Sequence, residues 1–211
     1  MEDTNCLDRL LAGFRGFKAI YYEQRPERVR TLVEEGQHPS VLVIACSDSR
    51  VDPAIITHAE PGELFVVRNV ANLVPPYEPD NSHHSTSAAL EFAVRDLGVS
   101  EIVVLGHSHC SGVRAMLDKG GEGQTNREFI ASWVSIAAEA ARDQAAADES
   151  DREAAGGRAA LRVSIKNLLS FPWVKHGVDA GTLGVSGWWF DMQAGQLHGI
   201  REPDAPFQLL T

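Results

Sequence analysis

Apolar residues at Leu7, Leu10, Leu11, Phe14, Phe17, Ile20 and Tyr21 recur at steps of three and four, the spacing that lays one stripe along an α-helix. The pattern runs to about Arg25 and ends before Pro26, so residues 1–25 are expected to form a helical arm whose stripe must pack on something. The period then changes. Val41-Leu-Val-Ile-Ala is a continuous apolar run, as in a central strand buried on both faces, and Leu64-Phe-Val-Val-Arg and Glu101-Ile-Val-Val-Leu-Gly read the same way. Between them Asp52 can cap and Pro53 can start a short helix, while Ser85 to Leu97 carries apolar residues at Ala89, Phe92, Ala93 and Leu97.

Strands alternating with helices predict right-handed crossovers and a mostly parallel sheet, with ligands gathering outside the carboxyl ends of its strands. From Asn126 to Phe171 the chain is rich in Ala, Glu, Asp and Arg and is interrupted at Gly156-Gly157; it reads as two helices with an exposed joint between Asp143 and Gly157. Gly181 to Ile200 suggests a terminal antiparallel hairpin on the sheet edge. No repeat or low-complexity linker divides the chain, so the expectation is one α/β domain over residues 1–211: a mostly parallel central sheet flanked by helices, with an antiparallel edge and an N-terminal helical arm.

Composition narrows the function. The 211 residues carry 19 Lys and Arg against 29 Asp and Glu, and no basic cluster interleaved with aromatics offers a footprint for nucleic acid. No apolar segment is long enough to span a bilayer, and Glu2, Asp3, Asp8 and Arg9 do not fit a signal or transit peptide; a cytoplasmic location is the expectation. Three cysteines make no disulfide framework there. Cys6 reads as a small buried hydrophobe, the usual fate of a lone cysteine, but the other two stand at strand ends.

Cys46-Ser-Asp48-Ser-Arg50 follows the first buried strand, and His107-Ser-His109-Cys110 follows the third. Two thiolates and an imidazole are ligands of the kinds Zn²⁺ prefers, and three of them leave a fourth position for water. Asp48 could instead close the shell and make the site structural. His109 competes with His107, but its adjacency to Cys110 points the two side chains apart, so His107 is the expected ligand. A cysteine-phosphatase loop fails because only three residues separate Cys110 from Arg114 where five are needed. Gly120-Gly-Glu-Gly123 lacks the Lys-Ser or Lys-Thr pair of a nucleotide loop and reads as a turn.

Cys46-Ser-Asp-Ser-Arg50, Pro61-Gly-Glu with Val67-Arg-Asn69, and Gly106-His-Ser-His-Cys110 together resemble the β-class carbonic anhydrases, in a plant-type-like form. The resemblance implies a zinc enzyme, a lyase that hydrates CO₂ reversibly to bicarbonate and a proton through a zinc-bound hydroxide, on a fold whose smallest functional unit is a homodimer. It implies Cys46, His107 and Cys110 as ligands and Asp48 and Arg50 as the catalytic pair. Gln37 and Phe65 match substrate contacts, Phe92 stands where many relatives have Tyr, and Ser111 where they usually have Gly. Val43 stands where one bacterial subtype has the Trp of an inhibitory bicarbonate site, so that regulation is not expected. CS₂ or COS hydrolysis on the same scaffold, or a noncatalytic zinc module, are the alternatives.

Overall fold

The computed structural model describes residues 5–117, 127–143 and 149–211. The chain divides into two compact units, Met1–His38 and Pro39–Thr211. In the first, α1 (Cys6–Lys18) is capped by the Asn5 side chain, which accepts from the Leu7 amide. The helix widens into a π-helical turn at Ala19–Gln24, ends at Arg25, and is followed by α2 (Pro26–Glu34) with Pro26 in its first turn, where a missing N–H costs nothing. The predicted arm is therefore helical to its expected end. Helix α2 was not anticipated, although Val29, Leu32 and Val33 stand three and four apart in it; the stripe is one turn long and none of its residues is buried.

The second unit is built on a six-stranded sheet of order β2-β1-β3-β4-β5-β6. Strands β1 (Val41–Cys46), β2 (Leu64–Asn69), β3 (Glu101–His107) and β4 (Gly184–Asp191) run parallel; β5 (Gln196–Ile200) and β6 (Gln208–Leu209) close the edge antiparallel. The parallel sheet with an antiparallel hairpin is the architecture expected. One expectation is corrected: β2 is an edge strand and only half-buried, not a central strand covered on both faces.

Helices α3 (Pro53–Thr57), α4 (Ser85–Glu91, continuing as a π-turn to Asp96), α5 (Ser111–Leu117), α6 (Ile130–Asp143), α7 (Glu149–Leu168) and α8 (Pro172–Asp179) surround the sheet. Leu42 and Ile44 of β1 with Ile102 and Val104 of β3 pack against Leu90 of α4 and Leu161, Ile165 and Leu168 of α7. Asp52 caps α3 by accepting from the amides of Ala54 and Ile55, as its sequence position predicts.

The expected joint between Asp143 and Gly157 is also corrected. Helix α7 has begun by Glu149, and Gly156 and Gly157 lie buried inside it. A Cβ at Gly156 would stand 3.0 Å from Leu117 Cδ2, and one at Gly157 only 2.7 Å from Trp189 Cζ3. The pair serves close packing of α7 on α5 and β4, which outweighs its poor helix propensity. Residues 144–148 of that joint, and the Gly120–Gly123 turn, lie outside the described residues.

Candidate metal centre

Strands β1 and β3 are neighbours in parallel register, Ala45 opposite Leu105, so Cys46 and His107 end adjacent strands at the carboxyl edge of the sheet. Cys110 follows three residues later, just before α5. The Cys46 Sγ, His107 nitrogen and Cys110 Sγ all lie within 4.8 Å of one another, and the three residues are 5%, 1% and 2% exposed.

The donor set fits a metal on three counts. The sulfurs are 3.8 Å apart, about the chord of two ~2.3 Å zinc–sulfur bonds at a tetrahedral angle. His107 Nδ1 donates to the Ser108 carbonyl at 2.8 Å, which fixes the tautomer and leaves Nε2 with a lone pair. Nε2 is buried and has no hydrogen-bond partner among the described residues, an orphaned lone pair that costs about 1–3 kcal/mol and that a bound cation satisfies.

The protonation pattern agrees. The Cys46 thiol is lowered to about 4, chiefly by the hydrogen bond from Cys110; burial opposes this, while His107 and the backbone amides of Asp48 and Ala71 assist. The same interaction, with burial, raises the Cys110 thiol, against a smaller pull from the amides of Val113 and Gly112. Burial disfavours the His107 imidazolium, but the Cys46 thiolate outweighs it and the net shift is upward. Two sulfurs sharing one proton beside an imidazole are poised to exchange protons for a divalent cation.

Asp48 lies two residues beyond Cys46 and outside the set of three converging ligand atoms. Its Oδ1 accepts from Arg50 Nε at 2.9 Å and from the Arg50 backbone N–H at 3.0 Å, and its Oδ2 accepts from Arg50 Nη2 at 2.7 Å. This bidentate pairing holds the carboxyl well below the usual range, so it is ionised at any working pH. Arg50 Nη2 also donates to the His109 carbonyl at 2.9 Å, tying the two loops together. His109 itself is exposed, with φ +57°, and contributes that carbonyl and not its ring.

Behind the ligands lies a turn at Val70–Asn72 in which Ala71 and Asn72 take positive φ without being glycine. Asn69 brackets it, donating to the Leu73 carbonyl at 2.8 Å and accepting from the Leu73 amide at 3.0 Å. Trp133 Nε1 of α6 donates to the Val70 carbonyl at 2.7 Å. The turn and Arg68 beside it were not singled out as site residues from sequence; the only signal was the Val67-Arg-Asn69 motif. A groove of about 720 Å³ lies on the other side of this turn, lined by Asn69, Val70, Thr86, Ile130 and Trp133 among others, and none of Cys46, Asp48, His107 or Cys110 reaches it.

The remaining expected site residues are dispersed. Ser111 is exposed at the first position of α5, next to Cys110. Phe65 stands opposite Leu42 and packs on Phe92 with ring centroids 5.9 Å apart. Cys46 is opposite Asn69, four residues farther along β2, so Phe65 lies about 13 Å back down the sheet from the ligand. Gln37 is exposed at the end of the first unit.

The carbonic anhydrase family profile matches residues 41–197. Beta carbonic anhydrase 3 of Arabidopsis thaliana is 38% identical over 201 residues, covering 92% of this chain and 77% of the relative. The chloroplastic beta carbonic anhydrase 5 of the same plant is 37% identical over 194 residues, or 90% of this chain, and this chain spans 63% of its length. Among solved structures, the β-carbonic anhydrase CcaA superposes with a TM-score of 0.88 at 29% identity, covering 97% of this chain and 92% of that one. A tetrameric β-carbonic anhydrase of Sordaria macrospora gives 0.80, also at 29% identity, over 93% and 98%. Matches of this extent in both sequence and fold mean that the chain belongs to the β-class carbonic anhydrases.

Proposed function

We propose that the chain is a zinc-dependent lyase that interconverts CO₂ and bicarbonate, with Cys46, His107 and Cys110 holding the metal and Asp48 and Arg50 acting beside it. The observation that carries this reading is the convergence of three buried ligand atoms within 4.8 Å, next to a carboxylate that Arg50 keeps out of the ligand set. Two sulfurs and a nitrogen favour zinc over hard cations such as Mg²⁺, and three ligands leave one position open. Zinc bound there supplies the Lewis acidity that lets water act as a nucleophile toward CO₂ near neutral pH.

The chain's own groups supply orientation. An ionised Asp48 only accepts hydrogen bonds, so a water or hydroxide beside it must point its proton at the carboxylate and turn a lone pair toward the substrate. Arg50 keeps that carboxylate ionised and aimed. The family resemblance assigns Gln37 a contact with substrate, and Ser111 is next to a ligand.

Phe65 and Phe92 lie too far from their own Cys46 to line its pocket; that role needs the edge of a second chain. We therefore read the working form as a homodimer or higher even oligomer, as the tetrameric relative supports. Among the described residues no helix is long and apolar enough to cross a membrane, and a cytoplasmic enzyme is the simplest assignment, although one relative is chloroplastic. The test is metal analysis and stopped-flow CO₂ hydration on one preparation: about one zinc per chain with rapid hydration supports the reading. Full zinc without hydration at alkaline pH rejects it.

A further inference from the structure

Strand β1 ends at Cys46, yet the chain must hold its shape for two more residues to deliver Asp48. Beyond the last paired residue, Ser47 still donates to the Asn69 carbonyl, but among the described residues the carbonyls of Cys46 and Asp48 have no strand partner, and the Asp48 carbonyl accepts one bond from the Val51 amide of its own turn at 3.2 Å. Both are met by one side chain of the neighbouring strand. Arg68 Nε donates to the Cys46 carbonyl at 3.0 Å and Arg68 Nη2 to the Asp48 carbonyl at 2.6 Å. Its third nitrogen, Nη1, donates to Asp52 Oδ2 at 2.7 Å, while Asp52 Oδ1 caps α3.

We propose that Arg68 is a positioning residue for the reaction: one planar guanidinium fixes the ligand Cys46, the acid Asp48 and the start of α3 as a single rigid loop. This rests on the function proposed above, because it gives Arg68 a role only through Asp48 and the metal.

The geometry asks for arginine. Three donors in one plane reach three acceptors spread over seven residues of chain, and the acceptors include two backbone carbonyls that no rotamer change can move. Lysine is a compact charge at the end of a flexible stem and cannot bridge all three. The side chains of Arg68 and Asp52 are 28% and 36% exposed, so the contacts are partly shielded from water. Arg50 and Arg68 divide the work: Arg50 aims the carboxylate of Asp48, and Arg68 holds the backbone that carries it. Neither substitutes for the other, since Arg50 bonds both Asp48 oxygens and Arg68 bonds neither.

The test is a double-mutant cycle between Arg68→Lys and Asp48→Asn, read by zinc content, the rate of zinc loss to a chelator, and kcat and KM for CO₂. In the otherwise unchanged protein, Arg68→Lys is expected to keep zinc at parent stoichiometry, to release it about tenfold faster, and to lower kcat about ten- to a hundredfold with little change in KM. In the Asp48→Asn background the same change should cost less than about twofold in kcat, because both act through one carboxylate. A purely structural role predicts the reverse: losses that add, with zinc content falling in step. Additive losses, or a kcat for Arg68→Lys within about twofold of the parent, overturn the inference while leaving the proposed function standing. A parent protein with full zinc and no hydration overturns both. If Arg68→Lys does not fold, Asp52→Asn carries the test, since it retains a capping oxygen but weakens the third contact; an unchanged kcat and zinc-release rate there reject the inference.

Discussion

At the residue scale the decisive contrast is between Asp48 as an acceptor and any group that can donate in its place. Asn at position 48 has nearly the same shape but presents an N–H₂ to the water position or to Arg50. Asp48→Asn should retain stoichiometric zinc and lose on the order of ten- to a thousandfold in kcat/KM, the range of a misdirected catalytic hydrogen bond. Hydration within about twofold of the parent, with full zinc, would rule this role out. The neighbouring histidines separate in the same way. His107 is buried with an orphaned Nε2, whereas His109 is exposed and uses only its carbonyl. His107→Ala should therefore lose metal and activity while His109→Ala keeps the metal; equal zinc contents would contradict the assignment. Metal uptake must also carry a pH signature. Cys46 is already low, so binding near pH 7 displaces the proton of the raised Cys110, about one proton per metal. Affinity should accordingly climb as pH rises, and proton release on adding Zn²⁺ to the chelator-treated protein, followed in weak buffer, checks both sign and count.

At the scale of elements, the site depends on a close approach that only glycine permits. A Cβ on Gly112 would lie 2.7 Å from Val70 Cγ1 and 2.9 Å from Ala71 Cβ, and the Ala71 amide is one of the donors that lower Cys46. Gly112→Ala should thus push the Val70–Asn72 turn off α5, cost about 1–3 kcal/mol of stability, and speed zinc release. Calorimetry with a chelator assay tests this; unchanged stability would mean the turn yields freely. This contact was hidden in the sequence, because the positive φ at Ala71 and Asn72 is imposed by Asn69, Trp133 and the α5 start and not by any glycine in the turn itself. Strands β1 and β3 were legible because continuous apolar runs have few other uses, and their ends carried Cys46 and His107 to one place. The edge position of β2 was not, since Leu64 to Val67 look as apolar as a central strand although the structure leaves them only half-covered. Gly156-Gly157 misled for the opposite reason: a local preference against helix was overruled by packing on Leu117 and Trp189.

At the scale of the whole molecule, the proposed even oligomer follows from apolar surface that one chain leaves open. The arm exposes Leu7, Leu10 and Phe14 at 60%, 64% and 60%, and Phe92 remains 44% exposed beside an open sheet edge. Stripes of this kind are covered in soluble proteins, and a symmetric pair is the commonest cover. If Phe65 and Phe92 line the pocket of a partner, two defective chains must rescue each other. A chain with Asp48→Asn has a dead metal side but sound aromatics; a chain with Phe92→Asp has a sound metal side but a spoiled lining. In a mixed dimer, one of the two sites then combines the sound half of each. Random exchange of equal amounts makes half the dimers mixed, so activity should recover to about a quarter of the parent value, well above either variant alone. Light scattering on the same samples would report an even oligomer. Recovery no greater than the mean of the two variants, under conditions where labelled chains are seen to exchange, would mean that each chain builds its substrate pocket alone.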